Sequence, residues 1–413
     1  MSAGRQTVPV TMIDAFGARW TLDVSGLDAH LADELLHLWD RAIVTDAAGG
    51  AEAGHPAEAS TEDAPDFVAR RTDDGSVTVG ERTQHADDLD VPYLVSRLLT
   101  TASIVRRVGS CVMLHAAGIA TDDGGTVALV AASGTGKTTA SRVLGRSLGY
   151  VSDETIAVEH DLTVRPYPKP LSIIVDPGAP TSKHERSPDD LGLVRAPRSL
   201  HLSAVAVLDR RDDVAEASLE PIGLVEALAL VLPQTSGLVS LDRPLDRLAR
   251  VLSVGGGPYR LTYRDIDDCV DLVADLAHAR QRGADDVAWT WIDGLADARQ
   301  PAAGDVAWTW IDGLEDAAFP MSVPEDFGPS TTLWRNGFRD ALLSNGVLLV
   351  MQDWSPVTLP GLAATLWLAA AEKCTVADLV DVATVELGGH PDAEAIVLDT
   401  VRALISTRIL TAV

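Results

Sequence analysis

Positive charge is scarce in this chain. Its 33 Lys and Arg face 60 Asp and Glu, for a formal charge of −27, and only four of the cations are lysine: Lys137, Lys169, Lys183 and Lys373. A phosphate backbone is held by clustered cations, so the composition argues against nucleic acid as a partner. The same acidity keeps a protein soluble and would attract a basic peptide. Cysteine is nearly missing too. Cys111, Cys269 and Cys374 are too few and too scattered for a zinc site or a disulfide frame, and an odd count suits a reducing compartment. No 18 apolar residues run together and the first seven residues lack an apolar segment, so the expectation is a cytoplasmic protein with no membrane partner.

What is present is more specific. Thr126 to Thr139 reads Thr-Val-Ala-Leu-Val-Ala-Ala-Ser-Gly-Thr-Gly-Lys-Thr-Thr, an apolar strand feeding a Gly-x-Gly-Lys-Thr turn at a helix start. Backbone N–H groups of such a turn face phosphates, its Lys reaches between them, and its Thr hydroxyl sits on Mg²⁺. The candidate contacts to ATP or GTP are Ser133, Gly134, Thr135, Gly136, Lys137, Thr138 and Thr139, with Thr138 on the metal. Ala131 stands where the full spacing asks for a first Gly. Val127, Leu129 and Val130 are expected in a buried strand, and Ala140 to Leu148 in a helix stopped by Gly149. A glycine turn that binds nothing would have no need of one of the chain's four lysines at this position.

Around this motif the chain divides into four stretches. Residues 1–90 are expected to hold a small α+β element, with a strand at Val10–Ile13, a helix carrying Leu31, Leu35, Leu36 and Trp39, and a disordered acidic loop over 45–66. Residues 91–280 hold the phosphate-loop domain, including strands at Cys111–His115, Tyr150–Glu154 and Leu202–Asp209. Over 281–330 a decapeptide occurs twice, as Asp286-Val-Ala-Trp-Thr-Trp-Ile-Asp-Gly-Leu295 and again at Asp305–Leu314, carrying four of the nine tryptophans. Two copies cannot build a solenoid. Either they are a duplicated linker whose indoles pack on a neighbouring domain, or a tethered segment that docks on a sheet edge in place of a peptide ligand. Residues 331–413 read as a compact α+β module: a strand at Val347–Met351, then helices over Gly361–Ala371, Thr375–Leu387 and Pro391–Ser406.

Residues about 90 to 277 resemble the HPr kinase/phosphorylase group, in its diverged HPr kinase-related branch. The resemblance rests on Leu114-His115-Ala-Ala, the Ala-Ser-Gly-Thr-Gly-Lys-Thr loop, Ser152-Asp153-Glu154, Arg165-Pro-Tyr-Pro-Lys-Pro170 and Pro258-Tyr-Arg-Leu-Thr-Tyr263. Residues about 334 to 413 resemble PqqD-like peptide-recognition domains, through Leu359-Pro-Gly-Leu-Ala-Ala-Thr-Leu-Trp367 and Thr375-Val-Ala-Asp-Leu379. Together these imply an α/β P-loop core of HPr kinase/PEP carboxykinase type, with a small N-terminal α+β element and a C-terminal winged-helix domain. The kinase resemblance implies ATP and Mg²⁺ as cofactors, Asp153 as a metal-linked carboxylate, Glu154 as candidate base and His115 as a phosphate-side or orienting group. Lys169, between two prolines on a stiff, extended piece, would aim its ammonium at a phosphate. From the residues alone, Asp153 and Glu154 can also be a solvated strand end, His115 a satisfied strand histidine and Lys169 a loop lysine. Ala132 replaces the Asp that true HPr kinases carry there, and their Gly-rich signature has no counterpart, which argues against HPr as substrate.

The recognition resemblance implies that a ribosomally made precursor peptide is the partner, its leader added as a strand beside Val347–Met351 with Val397, Val401 and Leu404 closing the groove. The expected function is therefore ATP-dependent kinase-like chemistry on a Ser, Thr or carboxylate of that peptide, a Ser/Thr peptide kinase in the first instance. The rival is a recognition scaffold with a vestigial nucleotide site, delivering the peptide to other tailoring enzymes.

Overall fold

The computed structural model describes residues 10–44, 65–72, 76–79, 82–84, 90–132, 134–174, 183–278, 288–293, 323–324, 326–352 and 355–413. The acidic loop expected at 45–66 and the second decapeptide fall outside this set, save Pro65 and Asp66. The fold is mixed α/β with several sheets, in two units: Met1–Asp242 with Arg247–Val287, and Arg243–Asp246 with Ala288–Val413. Among the described residues no helix is long and apolar enough to cross a membrane.

The first unit opens with β1 (Val10–Ala15), β2 (Ala18–Gly26), α1 (Ala29–Leu38), β3 (Phe67–Arg71), β4 (Val77–Val79), β5 (Arg82–Gln84) and α2 (Asp90–Arg107), the five strands pairing in chain order. Helix α1 begins where Asp28 accepts the Leu31 N–H, and turns Leu31, Leu35 and Leu38 inward. Its core extends to residues further along the chain. Trp39, Leu94 and Leu99 pack in one cluster with Cys111, Met113 and Tyr167, and Phe16 meets the Tyr167 ring edge-on at 4.9 Å.

Next come β6 (Val112–Leu114), β7 (Ala116–Ala120), β8 (Gly125–Val130), α3 (Lys137–Leu144), β9 (Gly149–Ser152), β10 (Ile156–Val158), β11 (Val164–Arg165), β12 (Leu171–Ile174), β13 (Lys183–Arg186), β14 (Val194–Arg195), β15 (His201–Arg210), β16 (Ser218–Pro221), α4 (Leu224–Val231), β17 (Thr235–Ser236), α5 (Pro244–Leu252), β18 (Tyr259–Tyr263) and α6 (Val270–His278). Seven of these strands form the main sheet, in the order β14-β9-β7-β8-β15-β18-β16. Strands β8, β15 and β18 run parallel, while β7 is antiparallel to both neighbours. Every residue of β8 is buried, as its unbroken apolar run requires of a central strand. Helix α3 stops at Gly145, four residues before the expected Gly149. A Cβ at Gly145 would lie 2.4 Å from the Ser141 carbonyl, and Gly149 instead opens β9.

The second unit contains β19 (Thr290–Asp293), β20 (Thr332–Arg335), β21 (Asp340–Ser344), β22 (Val347–Gln352), β23 (Ser355–Pro360), α7 (Leu362–Ala369), β24 (Cys374–Thr375), α8 (Val376–Leu387), α9 (Ala393–Ser406) and β25 (Leu410–Ala412). One sheet runs β19-β21-β22-β23 and a second β24-β20-β25. A capping box starts α8: the Thr375 hydroxyl accepts from the Asp378 N–H while the Asp378 carboxylate accepts from the Thr375 N–H. Two expectations are corrected. Val347–Met351 is an interior strand with partners on both sides, so it offers no edge. Val397, Val401 and Leu404 are at most 4% exposed and belong to the core, so they line no groove.

Candidate functional site

Strand β8 delivers its loop at the carboxyl end of the parallel strands, where open α/β sheets place ligands. Gly134 (φ 80°) and Gly136 (φ 102°) hold the left-handed backbone that favours glycine, and no atom lies within 4 Å of where a Cβ would stand at either. Space above the loop is therefore open. Gly136 precedes the first turn of α3, whose amides have no partner within the helix. The Lys137 ammonium folds back to donate to the carbonyls of Ala131 (2.6 Å) and Ala132 (3.1 Å). Burial lowers its pKa, and the carboxylates of Asp153 and Glu154 act the other way. Thr135 is exposed with its hydroxyl on the Ala132 carbonyl at 2.6 Å; Thr139 is exposed, and Ser133 lies outside the described residues.

The carboxylates follow β9. Thr138 donates from its hydroxyl to Asp153 Oδ2 at 3.1 Å, which joins loop and carboxylate. Asp153 is 6% exposed, while the Glu154 side chain is 37% exposed, so only the second faces solvent. Lys169 is the buried cation between them: its ammonium lies 3.3 Å from Asp153 Oδ1 and 3.2 Å from Glu154 Oε2, and donates to the Pro170 carbonyl at 2.9 Å. Burial opposes that charge, but Asp153, Glu154 and Glu185 outweigh it and hold the ammonium protonated well above its ordinary range. His115 sits between β6 and β7, its own N–H donating to the Gln234 carbonyl at 2.6 Å. Burial, reinforced by the Lys137 charge, lowers its pKa, so the imidazole is neutral at pH 7.

The structure thus brings His115, Lys137, Thr138, Asp153, Glu154 and Lys169 into one site, and adds three residues that the sequence reading did not select. Tyr150, fully buried, lies 3.2 Å from Asp153 Oδ1 and 3.1 Å from the Lys169 carbonyl, one hydroxyl hydrogen for two acceptors. Ser172 donates to Glu185 Oε1 at 2.5 Å across the β12–β13 pair, while Glu185 Oε2 is buried without a hydrogen-bond partner. Burial raises the Glu185 carboxyl to about 7, against the opposing pull of Lys169. No local signal flags Glu185: Lys183-His-Glu-Arg186 is four consecutive polar residues of which only the third is buried.

No protein-family model matches the chain, and no curated protein matches it. Among solved structures it is similar to the Hpr(Ser) kinase/phosphatase from Coxiella burnetii, at 11% identity over 40% of this chain and 92% of that one, with a TM-score of 0.20. A TM-score that low carries no argument, and the site stands on its own geometry.

Proposed function

We propose that the first unit binds Mg-ATP and transfers its terminal phosphoryl group to a Ser or Thr hydroxyl, or to a carboxylate, of a ribosomally made peptide recognised by the second unit, which we read as a winged-helix module. The observation that carries the nucleotide half is the Thr138–Asp153 hydrogen bond beside Lys137 at the start of α3. The residues fit the group in kind. Open space over two left-handed glycines admits a triphosphate, free amides and an ammonium match its charge, and a hydroxyl beside a carboxylate is the donor pair for Mg²⁺. Bound there, Mg²⁺ would supply charge neutralisation during transfer.

The chain's own residues supply the rest. The phosphate-loop amides and Lys137 hold and orient the triphosphate. Glu154, the more exposed carboxylate, takes the proton of the attacking hydroxyl as the oxygen–phosphorus bond forms and the bond to ADP breaks. Lys169 ion-pairs with both carboxylates and holds them in place, and neutral His115 offers a ring nitrogen as acceptor or donor without adding charge. One observation favours the scaffold reading: Lys169 engages Asp153 and Glu154 together, so both would have to be shared with any metal or substrate.

Calorimetric titration with Mg-ATP tests the nucleotide half. Lys137→Ala should weaken binding by about tenfold or more, because a charge-assisted phosphate contact is lost in a buried setting. Equal affinity in wild type and variant would remove the nucleotide reading. Bound nucleotide without transfer to a leader-bearing precursor peptide would leave the scaffold.

A further inference from the structure

We infer that the outer edge of β21 is a strand-addition site with two interchangeable occupants on the same chain: Thr290–Asp293, which holds it in this structure, and the second decapeptide, Asp305–Leu314. The inference does not rest on the kinase or precursor-peptide readings.

The occupant pairs antiparallel with β21, Thr290 opposite Leu343, Trp291 opposite Leu342, Ile292 opposite Ala341 and Asp293 opposite Asp340. Ile292 packs against the core that holds Ala341, so one face of the added strand is anchored by a β-branched side chain. On the other face the Trp291 indole donates to Asp340 Oδ2 at 3.2 Å, and the Ser344 hydroxyl reaches the Ala288 carbonyl at 2.9 Å. With this strand in place Asp340 is 1% exposed, so the aromatic donor serves a carboxylate withdrawn from water. The recognition pattern is therefore an indole N–H toward Asp340 and a β-branched residue toward the core, on alternate sides of an extended segment.

That pattern exists twice. Asp305–Leu314 repeats Asp286–Leu295 residue for residue, so Thr309, Trp310, Ile311 and Asp312 bring the same side chains in the same order. The copies are 19 positions apart (305 − 286), and loop-closure entropy grows slowly with length, so the tether shifts the balance by no more than about a few-fold. The opposite edge of the sheet is unsuited to the same use. Strand β23 carries Pro356 and Pro360, four positions apart and so on one side of the strand, and only Thr358 between them keeps an amide hydrogen on that side.

Disulfide trapping in the full chain tests the exchange without any added ligand. Leu343→Cys is combined either with Thr290→Cys, the pair seen here, or with Thr309→Cys, its counterpart in the second copy; a directly opposed pair is within bonding reach. After mild oxidation, peptide mass mapping should find the intrachain 290–343 link in the first variant and the 309–343 link in the second, at rates within about tenfold. If only 290–343 forms, or if 309–343 forms only between chains as a covalent dimer, the inference is overturned. Ile292→Asp, which ejects the first copy, should speed the 309–343 link in the folded chain. An unchanged rate there would likewise overturn it.

Discussion

At the scale of single residues, the site pairs ions that are buried together. Asp153→Asn removes the charge that serves both Lys169 and the proposed metal, so nucleotide should remain bound while transfer falls by on the order of a hundredfold or more. ADP formation measured in the presence of the precursor peptide checks this, and full turnover in the variant would end the assignment of Asp153. Glu185 offers a pH test. Its carboxyl is raised from 4.5 to about 7, so between those values the folded chain binds more protons than the unfolded one and stability falls as pH rises. Glu185→Gln removes that penalty and keeps an oxygen for Ser172. Thermal melts should therefore show the variant gaining on wild type as pH climbs from about 4.5 to about 7, then holding a constant lead. A difference that stays flat across that window would show that Glu185 does not titrate there.

At the scale of elements, strand order decides what a substitution does. Leu349 lies in the middle of β22, with Leu342 on one side and Thr358 on the other, and is 1% exposed. Leu349→Pro removes an interior ladder bond and should cost about 3 kcal/mol or more, whereas Thr290→Pro at the first position of an edge strand should cost about 1 kcal/mol or less. Urea midpoints followed by circular dichroism separate the two, and equal midpoints would contradict the strand order. Strand β22 itself is evident from five consecutive apolar residues, and its partners β21 and β23 are its neighbours along the chain; whether β21 is an edge depends on Thr290–Asp293, some fifty positions upstream (342 − 291 = 51), and no local pattern reports such a pairing. Gly134 and Lys137 were legible because a phosphate loop encodes its chemistry within a few residues, whereas Asp153, 16 positions beyond Lys137 (153 − 137), was singled out only through the family resemblance. Glu185 was not legible, because its partners Ser172 and Lys169 meet it only through the register of β12 with β13.

At the scale of the whole molecule, the net charge of −27 sets a field that a small positive site must work against. The Debye length shrinks from about 30 Å at 0.01 M salt to about 8 Å at 0.15 M, so the distant carboxylates are felt mainly at low salt. Association of ATP should therefore quicken as salt is raised across that range, while a basic peptide should bind more weakly; stopped-flow traces at several ionic strengths would show both trends. ATP rates that fall with salt would mean that the cations beside the loop, and not the overall charge, govern approach.

The two margins of the β19-β21-β22-β23 sheet bear on how the protein behaves in bulk. An uncovered row of amides and carbonyls is a template on which further chains can stack, and proteins at high concentration are exposed to it continuously. Here one margin ends in a four-residue strand closed by Asp293, and the other in a strand interrupted by two prolines. A chain that lost its resident strand would keep its fold yet gain a sticky border, and its first symptom would be turbidity on storage, well before any loss of activity.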